Sequence, residues 1–169
     1  MTTLAQLKKY GNDLGFTQSM KSLGFFVGPN GYWFYRRREE ILDVICFSIG
    51  SCGAWTLPSV ALFVDEMVED YNMNLFPKGF TNQLSYINSL SITEEGIEHP
   101  WHKWEVRDES SAKKSFNCIS TIMNQSGDAW FKEIKTRADL WNHLKACVED
   151  TAREKTLKRI LLGNGPKLT

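Results

Sequence analysis

Between residues 24 and 64 the chain reads GFFVGPNGYWFYRRREEILDVICFSIGSCGAWTLPSVALFV, short apolar runs separated by turn residues. The pattern predicts strands over 25–27, 32–37, 41–49 and 54–64. Pro29, Asn30 and Gly31 divide the first two, because proline fixes φ and Asn-Gly accepts the positive φ of a tight hairpin. In 41–49 both faces are apolar, Leu42, Val44 and Cys46 on one and Ile45, Phe47 and Ile49 on the other, which predicts a central strand. Gly50 and Gly53 supply the next turn, and Pro58, lacking an N–H, argues for an edge position or a bulge in the strand that follows. Connections this short do not hold crossover helices, so the strands form an antiparallel meander.

The flanks carry the helical period instead. Leu4, Leu7, Tyr10, Leu14, Phe16 and Met20 recur at helical spacing, interrupted by Gly11 and Gly15, and predict a helix near 2–13 with a second short turn before Gly24. Residues 101–106 predict a last strand. Asp108 to Ser111 then offer caps to a helix over 110–124, with Ala112, Phe116, Ile119, Ile122 and Met123 on one face. Ser126, Gly127 and Asp128 reset the chain before one or two turns over 129–134. Thr136, with Asp139 three residues on, caps a final helix whose stripe is Leu140, Trp141, Leu144, Cys147 and Val148. The pattern then weakens into a basic C-terminal tail over 152–169. Residues 65–98 are mixed: 65–71 suits a short helix, 76–79 breaks it, and 83–92 alternates like a strand. The expectation is one α+β domain over 1–169: an N-terminal helix, an antiparallel β-meander sheet, and C-terminal helices packed on one face.

Composition narrows the function classes. The 169 residues, 42% hydrophobic and 12% aromatic, are enough for a core without staples. With 20 basic and 20 acidic side chains the net charge is zero, which argues against direct nucleic-acid binding. No apolar run approaches the roughly 20 residues of a membrane span, the N-terminus lacks a secretory h-region, and four cysteines follow no framework, so a soluble cytoplasmic protein is expected. The charge is uneven, however. Residues 65–98 contain Asp65, Glu66, Glu69, Asp70, Glu94, Glu95 and Glu98 against Lys78 alone.

Motifs for chemistry are sparse. His99 and His102 are two imidazoles three residues apart, short of the three ligands a catalytic zinc needs, and Pro100 between them disfavours a helical arrangement. Cys46, Cys118 and Cys147 fall on or beside apolar stripes, and Cys52, between glycines, is the one expected at the surface. Neither glycine cluster has phosphate-loop spacing. The run from Arg36 to Glu40 reads as a charged hairpin tip that keeps a sheet edge soluble, with anion binding the lesser alternative. In Tyr32, Trp33, Phe34 and Tyr35, alternation buries half of what would otherwise be a base-stacking platform. No catalytic residue, metal site or cofactor is expected.

The acids of 65–98 lie among Met67, Tyr71, Met73, Leu75 and Phe76, the composition of a surface that steers a basic partner and anchors it by burial. Gly24-Phe25, Tyr35-Arg36, Phe47, Trp104, Ala112, Phe116, and Gly127 ahead of Trp130-Phe131 together resemble a group of small bacterial domains of unknown function. That group is similar in size and character to immunity proteins of contact-dependent growth inhibition and related polymorphic toxin systems. The resemblance covers 24–64 and 99–148. It implies tight, non-catalytic binding of the C-terminal domain of a cognate toxin, often a basic nuclease, by a protein that is monomeric when free. The expected contact residues, from charge and composition, are Asp65, Glu66, Glu69, Asp70, Tyr71, Phe76, Glu94, Glu95 and Glu98. The alternatives are another protein- or ligand-binding module and a hydrolase with a site near His99 and His102.

Overall fold

The computed structural model describes residues 1–29, 31–50, 52–64, 90–98, 102–145 and 151–163. Helix α1 spans Leu4–Asp13, two residues shorter than the pattern suggests because Thr3 caps it. The Thr3 hydroxyl accepts the Gln6 N–H at 3.2 Å while the Gln6 side chain accepts the Thr3 N–H at 2.8 Å. The second turn is a helix in its own right, α2 (Phe16–Ser22), which delivers Phe16 and Met20 to the core.

Among the described residues seven strands form one antiparallel sheet: β1 (Phe26–Val27), β2 (Trp33–Arg38), β3 (Ile41–Ile49), β4 (Trp55–Phe63), β5 (Leu90–Ile92), β6 (Ile97–Glu98) and β7 (Trp104–Glu105). Strands β1 to β6 lie in chain order, and β7 joins β4 beyond the end of β5. The meander is therefore as expected, with β3 interior and its apolar positions buried on both faces. Two turns at the same end of the sheet repeat one device, Gly-x-x-Gly-x-Trp. Gly28 donates its N–H to the Trp33 carbonyl at 2.9 Å and Gly50 to that of Trp55 at 3.0 Å. The inner glycines, Gly31 and Gly53, take φ of 82° and 62°. The outer ones lie flat against the indoles, where a Cβ would fall 1.8 Å from Trp33 or 2.3 Å from Trp55.

Pro58 corrects its expectation: β4 is neither an edge nor bulged there, but pairs with β3 through Phe47 opposite Pro58. Phe47 donates its N–H to Tyr32 and so faces β2. Pro58 therefore faces away from β3, where β4 is shared by β7 at residues 55–56 and β5 at residues 59–60. The missing donor falls between the two partners.

Helix α3 (Glu109–Ile122) begins at Asp108, whose carboxylate accepts the Ser111 N–H at 2.8 Å, and it buries Ala112, Phe116 and Ile119. The reset at 126–128 does not occur. The helix widens into a π-helical turn, Met123–Gly127, and runs on as α4 (Asp128–Glu133). Gly127 permits this because a Cβ there would come within 2.7 Å of the Met123 sulfur. Thr136 and Asp139 cap α5 (Arg137–Leu144) reciprocally, as the spacing predicts. Residues of the basic C-terminal stretch form α6 (Thr151–Leu162), which packs beside α5 and buries Leu157 and Leu161. The core centres on Phe16, with ring centroids 4.9 Å from Phe116, 5.5 Å from Phe47 and 5.6 Å from Phe34. Tyr32, Trp33 and Phe34 belong to this core, so that run stacks on the protein itself. No described helix is long and apolar enough to cross a membrane.

Candidate functional site

Of the nine expected contact residues, the structure places Glu94, Glu95 and Glu98, whereas Asp65, Glu66, Glu69, Asp70, Tyr71 and Phe76 lie outside the described residues. The three glutamates share one hairpin. Ser91 faces Glu98 and Ile92 faces Ile97, and the tip closes with the Thr93 N–H donated to the Gly96 carbonyl at 2.7 Å. Ser91, Ile92 and Ile97 are buried, whereas Glu94, Glu95 and Glu98 are exposed. The Glu95 N–H bonds the Thr93 hydroxyl at 3.1 Å, so the tip is shaped by its own polar groups.

Two anchors hold this hairpin. The Trp104 indole N–H donates to the Ile92 carbonyl at 2.7 Å, and the His102 backbone N–H donates to the Ser91 hydroxyl at 2.9 Å. On the other side Gly96 sits against the π-helical turn, near the Ser126 hydroxyl. The carboxylates thus stand on a braced support, where little backbone ordering is left to a binding event.

The other candidates resolve differently. The His102 ring packs edge-on to Trp104 with centroids 4.8 Å apart, a packing role, and His99 lies outside the described residues. Among the described residues no group of three His, Cys, Asp or Glu side chains could hold a metal ion. Cys46 is half-buried and burial pushes its thiol up to about 12, far from a nucleophilic thiolate. Cys52 is exposed as expected. Cys118 is exposed too, a correction, because it lies on the outer side of α3 from Phe116 and Ile119. Cys147 lies outside the described residues.

The run Arg36 to Glu40 is where the structure departs most from its sequence reading. Glu39 and Glu40 make a two-residue turn, Arg37 points outward, and Arg36 and Arg38 point in. Arg36, 8% exposed, donates from Nε to Asp43 Oδ2 at 3.1 Å and from Nη1 to Asp128 Oδ1 at 2.6 Å and the Leu23 carbonyl at 2.7 Å. Its guanidinium carbon lies 4.4 Å from the centre of the Phe25 ring. Arg38 grips the same Asp43 twice, at 2.7 Å each, and the Ile134 carbonyl at 2.9 Å. Burial pushes the Asp43 carboxyl above its ordinary value, opposed by Arg38 and Arg36. For Asp128 burial acts upward as well, but Lys132 and Arg36 outweigh it and hold the carboxyl below the usual range. This cluster ties the β2–β3 hairpin to α4 and has no open face for a substrate. It was missed although a signal existed: alternation puts Asp43 between Ile41 and Ile45 on one face of β3, and a buried carboxylate demands a cation.

An open depression of about 240 Å³ lies at the start of α3, lined by Glu105, Asp108, Ser110, Ser111, Lys114 and Ser115. Groups from four of its lining residues are engaged in the fold: Asp108 and Ser111 cap each other, and the Ser115 hydroxyl donates to the Glu105 carbonyl at 2.6 Å.

Comparison with protein-family models, with curated proteins and with solved structures finds no match to the chain.

Proposed function

We propose that this chain is an immunity protein, a non-catalytic module that binds and neutralises the C-terminal domain of a cognate bacterial toxin in the cytoplasm. The observation that carries the proposal is the braced β5–β6 hairpin, which holds Glu94, Glu95 and Glu98 in solvent at the last described strand of the sheet. In sequence these residues close the acidic segment that begins at Asp65. Carboxylates displayed in this way accelerate encounter with a basic partner such as a nuclease and cover its substrate cleft. The engagement of the buried Asp43 and the partly buried Asp128 by arginines supports the same reading, since both carboxylates are taken up in holding the fold.

The test is calorimetric titration of the purified protein with the C-terminal domain of the large protein encoded immediately upstream. Nanomolar one-to-one binding that weakens with salt is the expected result. Replacing Glu94, Glu95 and Glu98 together by lysine should lower that affinity at least tenfold while leaving stability within about 0.5 kcal/mol, as for other exposed positions. Absence of heat at micromolar concentrations would overturn the proposal. Full affinity in the folded triple variant would instead remove the hairpin from the contact surface.

A further inference from the structure

We draw no further inference here: the strongest candidate, the exposed step of Phe26 on Tyr35 at the β1 edge of the sheet, is an apolar surface patch, and nothing in the structure shows what covers it.

Discussion

Replacing Arg36 by methionine tests whether the buried charge cluster holds the sheet to the helices. The substitution keeps a long apolar stem between Phe25 and Phe131 but removes the guanidinium, which sits 4.4 Å and 5.8 Å from those ring centres. Three acceptors lose their donor. Leu23 keeps a carbonyl without its 2.7 Å bond, Asp43 is left to Arg38, and Asp128 to Lys132, whose side chain is 63% exposed. Breaking one side of a buried ion pair costs roughly 3–5 kcal/mol, most of it from the charge left behind. For a domain of this length about 4 kcal/mol corresponds to a fall in Tm of roughly 8–16 °C. Urea titration followed by tryptophan fluorescence gives the direct measure, as a lower midpoint at unchanged slope. Arg36→Lys should recover less than half of the loss, because an ammonium cannot reach both carboxylates and the Leu23 carbonyl in one plane. A loss below about 1 kcal/mol for Arg36→Met would refute the reasoning, since it would mean that the cluster is solvated.

Further outcomes follow from the same geometry. Phe47→Ala, in the interior strand and ringed by Phe16, Tyr32, Phe34 and Phe116, should cost roughly 3–5 kcal/mol, read from the same urea titration; a loss under about 2 would place β3 at the periphery. Gly53→Ala forces a side chain into φ of 62° with a Cβ 2.7 Å from the Thr2 carbonyl oxygen, and should cost at least about 1–3 kcal/mol. Asp108, Asp128 and Asp139 are all held below the ordinary 3.8, so each contributes stability that is present above that value and lost as pH falls from it through the lower folded value. Asp43, held above 3.8, acts in the opposite sense, its contribution being present at low pH and lost as pH rises through its folded value. Asp139→Asn should therefore lessen the change in urea midpoint between pH 5 and pH 3 relative to the parent protein; an unaltered change would refute the assignment.

What the sequence made legible was what a single element carries within itself. Apart from Asp43, the buried residues of β3 are apolar on both faces, and the caps of α3 and α5 lie within three residues of the turns they close. Features that depend on two elements were harder. Pro58 reads as an edge residue because its missing donor is visible in sequence, whereas the interval between β5 and β7 that accommodates it is not. The π-helical turn was masked by Ser126-Gly127-Asp128, whose composition suits a break; one extra residue per turn leaves no mark on polarity. The shared Gly-x-x-Gly-x-Trp spacing is present in the sequence, but each copy by itself signals only a hairpin.

The buried cluster also changes how the charge distribution bears on a partner. Counted along the chain, residues 1–64 carry six cations and four anions. Two of those cations, Arg36 and Arg38, are matched inside the fold by Asp43 and, across 92 residues, by Asp128. Two positive and two negative charges thus cancel within a few ångströms and contribute little field beyond the surface. The segment 1–64 is less basic to an approaching molecule than its composition states. The exposed glutamates of the β5–β6 hairpin therefore face less opposing field from that segment than a residue count implies. Electrostatic attraction depends on charges that remain in solvent, so under the proposed function it is the exposed Glu94, Glu95 and Glu98, and not the buried Asp43, that would draw in a basic partner.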